Sequence, residues 1–225
     1  MFVSNSMSTQ LITIAADADI FEAQRKMTEH NIRHLPVTKG KDILLGMVTD
    51  RDIRSAIPYD LYKDPERKQA QAQVANLCVR DIMTRDLITI SPLDTIQDAL
   101  LLVQRAKVGA LPVVEEGKLK GILSVRDLMR AFINVLGIGE PGTLLGILVP
   151  EEVGVLKRIV DAITEEKISC GSVLVARYRE EGKRAVFPYL LTNNVASVKK
   201  KIKSLGFKLI DPMEWYLDQL PKKNE

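Results

Sequence analysis

The sequence predicts a mixed α/β and α+β chain: two copies of a strand-helix-strand-strand-helix unit, followed by a βαββαβ sandwich. Three observations carry that prediction. The phrase "GMVTDRD", Gly46 to Asp52, returns as "GILSVRD", Gly121 to Asp127. Around it, "LITIAADADIFEAQRKMTEHNIRHLPV" (11–37) overlies "LITISPLDTIQDALLLVQRAKVGALPV" (87–113) without a gap, at a constant offset of 76 residues. After the Gly/Pro-rich stretch "GIGEPGT" (137–143) the order of elements changes.

Each copy opens on a methionine-hydroxyl pair, Met7-Ser8 or Met83-Thr84, before its identical Leu-Ile-Thr-Ile run. That run, rich in β-branched residues, reads as a strand. Ile20, Ala23 and Met27, and then Ile96, Ala99, Leu100 and Val103, recur at helical spacing on one face. The Leu-Pro-Val strand follows (35–37 and 111–113), then a turn carrying Gly40 or Gly117, where one residue is lost from the second copy. A further apolar strand leads into a last helix with Ile53, Ala56 and Ile57, or Leu128, Ala131 and Phe132, inward; Pro58 stops the first copy. The helix "IQDALLLVQRA" is apolar on more than one side, which a deeper core or a subunit contact would satisfy.

The boundaries follow: unit 1 at 1–58, a helical linker at 59–82, unit 2 at 83–136, a second linker at 137–143, the βαββαβ domain at 144–212 and a tail at 213–225. "ERKQAQAQVANL" in the first linker consists of good helix formers, with Val74, Leu77 and Cys78 as anchors. In the last domain "LLGILVP" reads as a strand, and Leu156, Ile159, Val160 and Ile163 mark one helical face. A hairpin turns across Glu180-Glu181-Gly182, and a lysine-rich helix and the strand "KLID" complete the order. Pro188 within a strand fits an edge or a bulge.

Bulk properties exclude several classes. A formal charge of +3 on 225 residues is too small to imply nucleic acid as a partner. Lys199, Lys200, Lys201 and Lys203 crowd one helix, but Val198, Ile202 and Leu205 supply its buried face, so a solvated lysine face is the simpler reading. Two distant cysteines, Cys78 and Cys170, give no disulfide framework and are expected as reduced, buried thiols in a cytoplasmic protein. No apolar run reaches the length of a membrane helix, and no signal pattern opens the chain. His30 and His34, the only histidines, lack partners at metal-ligand spacing, and no nucleophile elbow or phosphate loop occurs, so an enzyme is not expected.

The repeated phrase has a bland physical account. Thr49 with Asp52, and Ser124 with Asp127, have capping-box spacing at a strand-to-helix junction. Binding is the other account. Gly46 and Gly121 would let a ligand approach the backbone, a helix N-terminus attracts anions, and Arg33-His34 stands where a cation meets phosphate.

Two tandem units ending in Gly, two aliphatics, Thr/Ser, two variable residues and Asp resemble a pair of CBS (cystathionine-β-synthase-type) domains, a Bateman module, over residues 7 to 135. The resemblance implies packing about a pseudo-two-fold axis, with two clefts for an adenosine-containing ligand: AMP, ADP or ATP, with NAD and S-adenosylmethionine as further candidates. It implies that Thr49 and Ser124 meet phosphate or ribose and that Asp52 and Asp127 take the ribose hydroxyls. Val48 and Leu123 would lie against the base, which Thr13, Ile14 and Ala15, or Thr89, Ile90 and Ser91, would frame. Arg33 and His34, ahead of Leu35 and Pro36, would reach phosphate; the second copy has Gly109 and Ala110 there, ahead of Leu111 and Pro112, which leaves Lys107 or Arg105 to substitute for them. The last third resembles an ACT domain, a ferredoxin-like regulatory unit, with Gly154 at its first strand-to-helix turn and Val153 where that family has proline. The combination resembles the acetoin-utilisation accessory proteins of AcuB type. With a cytoplasmic location expected from the composition and a homodimer from the two-sided helix, the chain reads as a nucleotide sensor that acts on a partner protein yet to be identified; a non-catalytic dimerising scaffold with empty clefts, or a nucleic-acid-binding regulator, is the alternative.

Overall fold

In the computed structural model, residues 1–58, 74, 76–213 and 215 are described. The chain divides into two compact units, Met1–Ala131 and Phe132–Glu225.

The first unit holds both repeats as far as Ala131, part-way along their last helix. Repeat one contains α1 (Ile20–Glu29), β1 (His34–Lys39), β2 (Ile43–Thr49) and α2 (Asp50–Ala56). Repeat two contains a helical turn α3 (Val79–Ile82), then α4 (Ile96–Ala106), β3 (Ala110–Glu115), β4 (Lys118–Ser124) and α5 (Val125–Leu136). Caps fix where the helices begin. Asp19 accepts from the N–H groups of Phe21 and Glu22 ahead of α1, and Thr95 and Asp98 cap α4 reciprocally. Helix α1 buries Ile20, Ala23 and Met27. Helix α4 buries Ile96 and Ala99, leaves Leu100, Leu102 and Val103 half-buried and exposes Leu101.

The Leu-Ile-Thr-Ile runs form less strand than expected. Each makes a single parallel bridge, Ile14 with Val37 and Ile90 with Val113. The Ile14 N–H donates to Pro36 O and the Thr38 N–H to Ile14 O, and Ile90 does the same with Pro112 and Val114. The next ladder bond would need an N–H on Pro36 or Pro112, and proline has none. The proline of Leu-Pro-Val ends the ladder after one rung.

The two repeats exchange their leading segments. Val3 N–H donates to Asp94 O, Ser4 N–H to Pro92 O, and Ser8 pairs in both directions with Ile122. Reciprocally, Val79 N–H donates to Ala18 O, Arg80 N–H to Ala16 O, and Thr84 pairs with Met47. Val3 and Val79 are both fully buried. The second repeat is engaged from Cys78 onward, ahead of Met83. The predicted linker helix falls mostly on 59–73 and 75, outside the described residues, as does most of the tail; Val74 is buried.

The second unit runs β5 (Thr143–Leu144), β6 (Gly146–Pro150), α6 (Val155–Glu165), β7 (Cys170–Arg177), β8 (Lys183–Leu190), α7 (Ala196–Ser204) and β9 (Lys208–Ile210). From β6 onward this is a βαββαβ order, with an antiparallel sheet ordered β9-β6-β8-β7 and β5 beside β8. Ile159, Ile163, Val198 and Ile202 pack with Ile147, Val186 and Leu190 of the sheet in one core. The buried face of α6 is rotated from the expectation: Val155, Ile159, Ala162 and Ile163 are buried, whereas Leu156 and Val160 are exposed.

Three further expectations are corrected in this unit. Pro188 sits in the interior strand β8. Leu145 N–H donates to Pro188 O at 3.0 Å, no return bond can form, and the partner strand breaks there into β5 and β6. The 137–143 stretch is strapped onto the sheet. A Cβ on Gly137 would fall 2.9 Å from Gly171 Cα, and Tyr189 OH donates to Glu140 O at 2.6 Å. Cys170 lies exposed on β7, and in the first unit Cys78 is only half-buried.

Candidate functional site

The repeated phrase first serves as a helix cap. Thr49 N–H and Oγ1 both donate to Asp52 Oδ2, at 2.8 and 2.7 Å, and Asp52 N–H donates to Thr49 Oγ1 at 3.3 Å. Ser124 and Asp127 repeat these bonds at 2.9, 2.6 and 3.3 Å. Thr95 and Asp98 make the same box outside the phrase, so Thr-x-x-Asp alone specifies a cap. The expected helix N-terminal anion site does not stand. Helix α2 has seven residues, the Asp50 N–H already donates to Arg33 O, and the Asp52 N–H is used by Thr49.

The glycine of the phrase also has a structural reason. A Cβ on Gly46 would lie 2.7 Å from Thr84 O and 2.8 Å from Met83 Sδ; one on Gly121 would lie 2.6 Å from Met7 Sδ and 3.0 Å from Ser8 O. The missing side chain admits the other repeat's leading methionine, not a ligand.

What remains is a cavity of about 560 Å³ at the first phrase. Of the predicted residues, Arg33, His34, Thr49, Asp52, Ala110 and Pro112 line it. The crosswise pairing of Met47 with Thr84 makes the opposite wall from repeat two: Leu87, Ile88, Val108 and Gly109 supply apolar surface and Lys107 a cation. Sequence reasoning missed Leu87 and Ile88, naming instead Thr89, Ile90 and Ser91 further along the same run. Thr13, Ile14 and Ala15 do not line this cavity, nor do Thr89, Ile90 and Ser91. Ile14 and Ile90 are buried in their bridges.

Val48 and Leu123 are corrected as base-contacting residues: both have 0% exposure. Side chains alternate along a strand, so Val48 turns to the core while Met47 and Thr49 face the cavity. The same alternation buries Leu35 and Leu111 fully and leaves Ala110 and Pro112 on the cavity wall; Pro36, buried, does not line it. Ser124 and Asp127 stand at the second phrase, away from this cavity. Asp127 is 9% exposed, with Arg130 3.7 Å from its Oδ1. Asp52 is half-buried, and among the described residues its Oδ1 accepts no hydrogen bond. The two phrases are therefore unequal.

His34 stands across from repeat two: a Cβ on Gly109 would lie 2.5 Å from its Nε2. Burial lowers the His34 pKa, Asp52 opposes the shift and Arg33 adds to it. The unfolded chain then takes up a proton at about pH 6.5 that the folded chain does not. His34 thus contributes stability that is full above that pH and is lost as pH falls through the depressed folded value. Melting temperature should fall from pH 7.5 to 5.5, and less steeply in His34→Gln; parallel curves would assign the acid sensitivity to other groups.

Among the described residues, no three His, Cys, Asp or Glu side chains converge to hold a metal ion, and no helix is long and apolar enough to cross a membrane.

Comparison with known proteins agrees with the duplicated architecture. The CBS domain family model matches residues 3–59 and 79–134. An inosine-5'-monophosphate dehydrogenase of Korarchaeum cryptofilum is 37% identical over 119 residues, which are 52% of this chain and 21% of the dehydrogenase. The chain thus spans about a fifth of that enzyme's length. The CBS domain-containing protein YhcV of Bacillus subtilis is 31% identical over 126 residues, 56% of this chain and 81% of YhcV. A crystal structure of a candidate acetoin utilization protein (AcuB) from Vibrio cholerae shares the fold at 24% identity, with a TM-score of 0.52, covering 63% of this chain and 98% of that one. With both repeats matched and most of YhcV covered, this chain belongs to the CBS domain family.

Proposed function

We propose that the chain is a regulatory module that binds an adenine nucleotide in the cavity at the first phrase. The observation that carries this reading is the pairing of a free Asp52 carboxylate oxygen with Arg33 and His34 on one side and an apolar wall on the other. A nucleoside phosphate offers ribose hydroxyls, phosphate and a flat base in matching order. Asp52 takes the hydroxyls, Arg33 and His34 the phosphate, and Ile88 with Val108 the base. AMP, ADP or ATP fits best; NAD and S-adenosylmethionine share the adenosine part. Ser124 and Asp127 form the weaker, second site.

The second unit is read as an ACT-like element that dimerises or docks a partner. Its βαββαβ order and Gly154, at φ +90° ahead of α6 with open space around it, support that reading. A homodimer would cover the exposed Leu101 of α4 and Met129 of α5. The ligand acts by favouring one arrangement of the chain over another, which requires unequal affinity for the two. The dehydrogenase matches along only a fifth of its length, so its activity is not carried over. A cytoplasmic location suits a nucleotide sensor with free thiols.

The test is a thermal-shift panel of AMP, ADP, ATP, NAD and S-adenosylmethionine. A ligand at about 100 times its dissociation constant should stabilise the chain by roughly 2.7 kcal/mol. A panel in which no nucleotide moves the transition would leave a scaffold with an empty cavity.

A further inference from the structure

Three cations, Arg33, Arg51 and Lys107, reach the cavity at the first phrase, beside the carboxylates of Asp52 and Asp86, and among the described residues none of the three is held in an ion pair. Arg54 also lines it but is held by Asp50 at 2.8 Å. The repeat supplies an internal control: the corresponding positions at the second phrase are Gly109 for Arg33, Arg126 for Arg51 and Asn31 for Lys107. A general need for solvated surface charge would not concentrate unpaired cations at one phrase and remove two of the three at the other.

Lys107 comes from the opposite repeat to Arg33 and Arg51. It occupies the left-handed position that ends α4, at φ 55°, where its counterpart Asn31 has φ 51°. Asparagine and glycine suit that conformation; lysine gains nothing from it locally. Lys167 adopts it too, outside the cavity, so backbone geometry alone is no argument for binding. The convergence of Lys107 with two other unpaired cations is.

Resting on the nucleotide reading, we propose that the cavity is built for a nucleoside di- or triphosphate over a monophosphate, and that Lys107 is the specificity residue that takes a phosphate beyond the first. Arg33 and His34 hold the phosphate nearest the ribose, beside Asp52. Lys107 and Arg51 meet the phosphates beyond it, bridging the two repeats through the ligand.

The experiment is calorimetric titration of AMP, ADP and ATP into the full chain and into Lys107→Asn, the residue the first repeat uses at this position. Wild type should bind ADP or ATP at least about tenfold tighter than AMP, and Lys107→Asn should erase most of that preference while AMP affinity changes little, since one charge-assisted contact accounts for roughly tenfold or more. Lys107→Gly, the residue most at ease at positive φ, should behave the same way and melt no lower than wild type. Equal binding of all three nucleotides, or a loss in Lys107→Asn that is uniform across them, would overturn the Lys107 assignment and leave the nucleotide reading standing. If no nucleotide binds wild type, both fall.

Discussion

Gly46→Ala should lower the stability of the first unit by about 3–5 kcal/mol. The new methyl would sit 2.7 Å from the Thr84 carbonyl oxygen and 2.8 Å from Met83 Sδ. Thr84 cannot yield cheaply, because Met47 N–H donates to its carbonyl and its own N–H donates to Met47 O, both at 2.9 Å. Relief of the clash therefore breaks two backbone bonds, worth about 1 kcal/mol each, on top of an overpacking cost of roughly 1–3 kcal/mol. At about 2–4 °C per kcal/mol for a chain of this size, the melting temperature should drop by roughly 10 °C. Gly121→Ala should cost less: its nearest contact, Met7 Sδ at 2.6 Å, is the end of a flexible side chain, and the Ser8 carbonyl is 3.0 Å away. Gly40→Ala is the control, with positive φ and open space around it; its cost should stay near 1 kcal/mol. If all three alanine variants melted together, the exchanged segments would not hold the repeats in register.

This explains why part of the architecture was readable from the chain and part was not. The helices were legible because their signals are local: spacing put Ile20, Ala23 and Met27 on one face, and Thr95 with Asp98 marks a start within four residues. The duplication was legible because the letters repeat. The exchange was not. Nothing in "GMVTDRD" says that Met83 and Thr84, rather than a ligand, fill the space above Gly46, since the pairing joins segments separated by about half of a repeat. The same omission displaced the site. Asp52, Thr49, Arg33 and His34 were identified as a group from the phrase and the basic pair, but the opposite wall of Leu87, Ile88 and Lys107 belongs to the other repeat. The Val48 assignment erred by one residue, which on a strand means the other face. Pro188 erred differently: a central strand can absorb a proline if the neighbouring strand gives up a bond at Leu145, and no local pattern foretells that.

The sharper consequence is an asymmetry between two residues that look interchangeable in sequence. Asp52→Ala and Asp127→Ala each delete a carboxylate that accepts two bonds from its capping residue, so each should lower stability by about 1–2 kcal/mol, a few degrees in melting temperature. Their effects on binding should diverge. Asp52 lines the cavity and keeps Oδ1 open beside Arg33 and His34; Asp127 is 9% exposed, with Arg130 at 3.7 Å. Hydrogen bonds from ribose hydroxyls to a carboxylate contribute roughly 1.5–3 kcal/mol each, so Asp52→Ala should weaken the nucleotide by at least about a hundredfold if both hydroxyls are bound. The ligand-induced rise in melting temperature should disappear in Asp52→Ala and persist in Asp127→Ala. Thr49→Ala separates capping from binding: it removes the hydroxyl of the box but leaves the Thr49 N–H bonded to Asp52, and should keep most of the affinity at a similar stability cost. Equal loss of binding in Asp52→Ala and Asp127→Ala would mean that both phrases hold ligand and that the free carboxylate oxygen of Asp52 is not what distinguishes them.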